Sequence, residues 1–148
     1  MKDKLTYFTK YLLDMMFYGG ILVTITLPLS FYFYSKYNSY FKEYYWELII
    51  LFALSGIFAI LIIDNLRKMF KTVIKDDCFV KENVISLERM GTFSFAIALI
   101  TTLRIALYLT PAVLVIILTF IIAGLFSKVL ARVFDKAITY KLENDLTI

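Results

Sequence analysis

Histidine is absent from this 148-residue sequence, and cysteine occurs only once, at Cys78. These absences exclude a disulfide within the chain, a Cys/His zinc cluster and catalysis by a histidine base. The adjacent carboxylates Asp76 and Asp77 have no histidine beside them, and sequence neighbours do not face each other on a helix. We interpret them as a solvated turn. We therefore expect no catalytic residue, no metal site, no cofactor and no enzyme activity.

Charge is also scarce over long stretches of the chain. Hydrophobic residues make up 61% of the sequence, well above the roughly 45–50% that is usual for soluble domains. Residues 15–35 contain no charge, and at about 1.5 Å per helical residue such a run can cross a hydrocarbon core of about 30 Å. The composition favours an integral membrane protein over a soluble fold.

The pattern predicts an all-α polytopic membrane protein with four transmembrane helices in a single domain. Residues 90–127 contain one charge, Arg104, and are too long for one helix, whereas Pro111 suits the first turn of a further helix. The alternative is one span preceded by a re-entrant segment. Pro28 predicts a kink near Thr24 in the first helix. The predicted spans are about 15–35, 45–63, 91–109 and 111–130.

The distribution of Lys and Arg favours four spans with both termini in the cytoplasm. The loop between the first two spans contains only two positively charged residues, Lys36 and Lys42. Positive residues concentrate on the cytoplasmic side of membrane proteins, so this loop should lie outside. Three spans would place the positive residues of the C-terminal segment outside. Membrane orientation thus explains the net charge of +4, and we expect no direct binding of nucleic acid. The residues predicted inside are Lys2, Lys4, Lys10, Arg67, Lys68, Lys71, Lys75, Lys81, Arg89, Lys128, Arg132, Lys136 and Lys141.

Helical periodicity continues beyond the predicted spans. Apolar residues between positions 66 and 74 recur at helical spacing, as do Val84 and Leu87 before the third span, so residues 64–90 should form a helical hairpin. An apolar stripe over residues 129–138 predicts that the fourth helix also continues, into a C-terminal helix and tail at 131–148. That stripe must be covered by the hairpin, by lipid headgroups or by another protein.

Polar and small residues inside the spans give further expectations. Arg104 is costly within a bilayer, so it should reach the interface, pair with Glu47 or contact a ligand or ion.

Small residues at helix-packing spacing permit close helix contacts, either within the chain or between copies in a homo-oligomer. They are Ser55 and Ala59, then Ala98, Thr102 and Ala106, then Ala123, Ser127 and Ala131.

The hairpin and the tail resemble a known family. Residues 67–73 (Arg-Lys-Met-Phe-Lys-Thr-Val), followed by Phe79, Glu82-Asn83-Val84, Leu87, Arg89 and Gly91, resemble the inner loop of small four-helix bacterial membrane proteins catalogued as domain of unknown function 2975. Residues 142–148 resemble that family's acidic Asp-Leu-Thr-Ile/Val ending. The chain departs from the pattern at Cys78, where Pro is common, and at Val80, where Ser or Thr would cap the next helix. Family members are often encoded beside a small Cro/CI-type helix-turn-helix regulator, so the resemblance implies that the membrane protein holds or controls that regulator.

These features predict a regulatory protein of a bacterial plasma membrane that contacts lipids and binds a cytoplasmic DNA-binding regulator. Alternatives are an oligomeric transporter or channel subunit and a protein that protects the membrane from a toxin. The candidate partner-binding residues are Met69, Phe70, Val73 and Phe79 of the hairpin, Val133 and Phe134 of the C-terminal helix, and Asp145, Leu146, Thr147 and Ile148 of the tail.

Overall fold

The computed structural model describes residues 3–106 and 109–147, and the regular structure within them is helical. The four longest helices have the length and the apolar composition needed to cross a membrane, as the sequence predicts. In chain order the helices are α1 (Lys4–Ile25), α2 (Leu27–Ser35), α3 (Ser39–Glu43), α4 (Tyr45–Ile74), α5 (Lys81–Ile105) and α6 (Pro111–Thr147).

The first helix begins eleven residues before the predicted span and breaks close to the predicted kink. Asp3 caps α1, accepting hydrogen bonds from the backbone N–H of Thr6 at 2.9 Å and from its hydroxyl at 2.5 Å. These bonds lower the pKa of Asp3. The helix breaks at Thr26, because Pro28 has no N–H to donate and its ring clashes with the carbonyl four residues earlier.

The third long helix ends earlier than the sequence predicts. The predicted span reaches residue 109, whereas α5 ends at Ile105, which places Arg104 in its last turn. Pro111 begins α6, and the residue before a proline is disfavoured in helical conformation. Thr110 precedes that helix, and its hydroxyl accepts the N–H of Val113 at 3.3 Å.

The long helices form a row in which each packs against its neighbours in the chain. Helix α1 packs against α4, α4 against α5, and α5 against α6, while α2 and α3 pack beside the start of α4. Among the described residues, no Cα atom of α1 lies within 8 Å of α5 or α6. The arrangement leaves a cleft on one side of the row.

Helices α5 and α6 share the most extensive helix contact among the described residues. A Cβ added at Gly124 would lie 2.6 Å from the ring of Phe95, and one added at Gly91 would lie 3.1 Å from the Gly124 carbonyl oxygen. Nearby, the buried Ser127 hydroxyl donates to the Leu87 carbonyl at 2.7 Å. Of the predicted small-residue sets, Ala98, Ser127 and Ala131 are buried, whereas Thr102, Ala106 and Ala123 are exposed.

Candidate functional site

The helical hairpin turns at Asp76 and Asp77, as predicted. Asp76 has a φ of 56°, a left-handed conformation that aspartate tolerates better than most residues. The N–H groups of Asp76 and Asp77 donate to the carbonyls of Val73 and Thr72, each at 3.0 Å. This pair of bonds is the Schellman arrangement that ends a helix, and it turns the chain back towards α5.

Asn83 fastens the two arms of the hairpin together. Its side chain is only 2% exposed, and its amide donates to the Thr72 hydroxyl at 2.7 Å and to the Cys78 carbonyl at 2.6 Å. Thr72 in turn donates to the Met69 carbonyl at 2.6 Å. The network joins the end of α4, the turn and the start of α5, so the family-like residues Thr72 and Asn83 hold the hairpin in shape.

The hairpin covers part of the apolar stripe of α6, whereas Val129 and Val133 of that stripe are exposed. Val84 and Leu87 of α5 form a buried cluster with Ala131, and Met69 and Phe134 pack against it. The rings of Phe79 and Phe134 lie 5.2 Å apart between centroids. Met69 and Phe134 are half-buried by this packing, and their part in binding a partner stays a prediction.

Ion pairs fix α6 alongside the hairpin. Lys128 donates to Glu88 and to the Thr92 hydroxyl, both at 2.9 Å. Lys81 and Asp135 lie 3.4 Å apart, and Lys141 and Asp77 lie 3.3 Å apart. From the sequence, these cations indicated only the orientation of the protein in the membrane. Their ion pairs could not be predicted, because the partners of each pair are far apart along the chain.

Two candidates lie at the tip of the hairpin, where Phe79 is exposed and Val73 is half-buried. Val73 and Phe79 line a depression of about 350 Å³ together with Asp77 and Lys141. Along α6, Asp145 and Leu146 follow Lys141 and are exposed, Leu146 by 86%. Phe70 is half-buried and Val133 is exposed, but neither lines the depression. Ile148 and the side chain of Thr147 lie outside the described residues.

A second candidate feature is the cleft that contains Arg104. The Arg104 guanidinium lies 4.3 Å from the ring centroid of Phe52, within the distance at which a cation is attracted to an aromatic face. Its place in the last turn of α5 also puts the positive charge near the negative end of the helix dipole. The cleft has a volume of about 300 Å³ and polar members Thr24, Ser55 and Thr101.

The ion pairs found between described residues do not include one from Arg104 to Glu47, and their pairing stays a prediction. Glu47 lies five residues before Phe52 on α4, which turns it about 140° away around the helix. Glu47 instead lines a different depression with Trp46 and Lys42. Contact of Arg104 with a ligand or ion stays a prediction.

A contact between α1 and α4 was not predicted from the sequence. The Arg67 guanidinium donates to Asp14 at 2.7 Å and lies 4.3 Å from the ring centroid of Phe17. Asp14 is the one acidic residue within α1, and Arg67 is a half-buried arginine at the start of the hairpin. The position of this single acid, directly before the uncharged stretch of α1, was the available signal.

Comparison with known proteins gives one match. Residues 30–148 match the family described as protein of unknown function (DUF2975), which confirms the expected resemblance. No curated protein and no solved structure matches the chain. Within the described residues, no group of three or more His, Cys, Asp or Glu side chains could hold a metal ion.

Proposed function

The chain belongs to the DUF2975 family, and from this premise we propose that it is a non-enzymatic membrane protein that binds a cytoplasmic regulator of transcription. Binding takes place at the hairpin tip and the end of α6. The protein resides in a bacterial plasma membrane with both termini and the hairpin in the cytoplasm. Trp46, which is 71% exposed, and Tyr37, which is 90% exposed, suit the opposite headgroup layer.

The orientation is supported by where the cations lie relative to the apolar helices. Lys68, Lys71 and Lys75 follow the apolar part of α4, and Arg132 and Lys136 follow that of α6. By the positive-inside rule this end of the molecule faces the cytoplasm. The surface available to a soluble partner is therefore the hairpin and the last turns of α6.

The observation that carries the proposal is the projection of α6 past the hairpin. The Lys141–Asp77 contact at 3.3 Å fixes Lys141 at the level of the turn, and the helix continues to Thr147. Leu142 and Leu146 are 59% and 86% exposed on this extension. Exposed apolar side chains on such a helical extension suit a helix-in-groove contact.

Charge at the tip indicates the chemistry of the partner. Asp76, Asp77, Glu143 and Asp145 are all exposed there, and the exposed Lys75 and Lys141 offset part of their charge. Proteins that bind DNA present basic surfaces to the phosphates. A carboxylate-rich tip would bind such a surface and compete with DNA for it, which is how this protein would hold a helix-turn-helix regulator inactive.

Cross-linking in cells tests the proposal. A photoreactive amino acid placed at Leu142 of the tagged full chain should capture a DNA-binding protein, identified by mass spectrometry. The double variant Glu143→Gln, Asp145→Asn should reduce that capture at least fivefold. The matched control Glu43→Gln removes an exposed carboxylate at the opposite end of the molecule and should leave capture unchanged.

Two outcomes would contradict the proposal. One is capture of nothing but lipid and further copies of the chain, which favours the oligomeric transport or membrane-protection alternatives. The other is capture of the regulator that is equally strong in the double variant, which would place the contact away from the acidic tip. Membrane insertion of every variant is checked by fractionation, so that loss of capture is not loss of protein.

A further inference from the structure

The Arg104 cleft has the composition of a binding site for a charged lipid-like molecule. We propose that it binds an amphiphile with a single anionic group, carboxylate or phosphate, on an apolar chain. Such sites are mainly apolar with a few convergent polar groups. Here the walls include Phe52, Ile97 and Phe120, and the polar groups are Arg104, Ser55 and two threonines. The proposal is independent of any partner at the hairpin tip.

The position of the opening indicates where the ligand enters. Thr24 of α1 lies in one wall of the cleft and Phe120 of α6 lies in another. Within the described residues, the backbones of α1 and α6 do not approach within 8 Å of each other. The cleft therefore opens between these two long apolar helices. In a bilayer this opening faces lipid chains, so the ligand enters from the membrane.

Arg104 is the charged donor among the residues that line the cleft. The hydroxyls of Thr24 and Thr101 donate to the carbonyls of Gly20 and Ile97, each at 2.8 Å, and turn only acceptor lone pairs to a ligand. The guanidinium carries five N–H donors in a planar fork that matches carboxylate and phosphate oxygens. An anionic head is therefore favoured over a neutral or cationic one.

Aromatic packing holds the guanidinium in place before a ligand arrives. Arg104 lies 4.3 Å from the ring centroid of Phe52, and the edge of Phe52 meets Phe31 at 5.2 Å between centroids. A cation held in this way loses less conformational entropy on binding. The volume of about 300 Å³ is at the lower end for ligand sites. This volume can hold the anionic head group and the first carbons of one acyl chain, and the rest of the acyl chain extends through the opening.

Photo-cross-linking of the full-length protein tests the proposal. The protein is reconstituted in nanodiscs of zwitterionic phosphatidylcholine with a photoreactive palmitate analogue, and labelled residues are mapped by mass spectrometry. Label should concentrate at Thr24, Ile116 and Phe120. Excess palmitate should compete for the label, whereas uncharged hexadecanol should compete at least tenfold less well. A parallel arm with photoreactive phosphatidylglycerol distinguishes a bilayer phospholipid from a free fatty acid as the source of the anion.

Variants test the charge of Arg104 and the free volume of the cleft separately. Arg104→Gln should reduce labelling at least tenfold, and Arg104→Lys should retain part of it. Ala59 also lines the cleft, so Ala59→Phe should fill it and block labelling while Arg104 stays intact. Arg89→Gln, at an exposed position of the same helix, is the matched control and should label like the wild type.

The proposal is overturned if hexadecanol competes as well as palmitate in the wild-type protein, or if label spreads evenly over the outer faces of the helices. Equal labelling of well-folded Arg104→Gln protein would also overturn it. If the Arg104 variants aggregate on size exclusion, the competition on the wild-type protein decides the question by itself.

Discussion

At the scale of single residues, the hairpin depends on one buried amide. Asn83 is 2% exposed and donates two hydrogen bonds that no aliphatic side chain can replace. Asn83→Ala leaves the Cys78 carbonyl without this donor and creates a small cavity, which together should cost about 2–3 kcal/mol. Thermal unfolding of the purified protein should show a clear fall in midpoint. Lys136→Ala, at an exposed site on α6, is the control, and an equal fall there would mean that Asn83 has no special role.

A second residue-scale prediction concerns the start of α5. Val80 occupies the N-cap position with extended backbone angles and makes no side-chain capping bond. Val80→Ser places a hydroxyl oxygen where it can accept the N–H of Glu82, and a cap of this kind stabilises a helix by about 1 kcal/mol. The variant should unfold at a higher temperature than Val80→Ala, which shortens the side chain without capping. Identical midpoints would show that the cap contributes nothing here.

At the scale of helices, the contact of α5 with α6 depends on glycine. A Cβ at Gly124 would lie 2.6–2.9 Å from three ring atoms of Phe95, so Gly124→Ala should destabilise the pair by about 1–3 kcal/mol through overpacking. Adding Phe95→Leu should restore much of the loss. Gly19→Ala is the control, since a Cβ there meets nothing within 4 Å. Thermal unfolding of the three variants tests this, and a Gly124→Ala protein as stable as wild type would contradict it.

The same elements show what a sequence can and cannot predict. Apolar periodicity predicted the helical class and the continuation of α4 and α6 past the spans, because these follow from local spacing. Proline chemistry predicted the break near Thr24 and the start of α6. The pairs Asp14–Arg67 and Ser127–Leu87 depend on the approach of distant segments, which periodicity does not encode. The packing of Phe134 against the hairpin could not be decided from the sequence for the same reason, since an amphipathic stripe does not reveal what covers it.

At the scale of the whole molecule, the row of helices gives the chain two unlike ends. One end carries exposed aromatic residues near α3, and the other carries the hairpin, its ion pairs and the end of α6. The α5–α6 contact extends from the Gly91–Gly124 approach to the Lys81–Asp135 pair at 3.4 Å, so the hairpin and the apolar helices form one continuous structure.

The orientation of the protein in the membrane can be tested by cysteine labelling, because the sequence has a single native cysteine to remove, Cys78. In a Cys78→Ser background, Tyr37→Cys and Glu143→Cys each introduce one thiol at an exposed site at opposite ends of the molecule. A membrane-impermeant maleimide should label Tyr37→Cys in intact cells and Glu143→Cys only after the membrane is opened, because the cations that flank the hairpin favour the cytoplasm. Labelling with the reverse pattern would invert the topology and remove the tip from any cytoplasmic regulator. Labelling of both sites in intact cells would place the two ends on the same side and contradict an odd number of crossings between them.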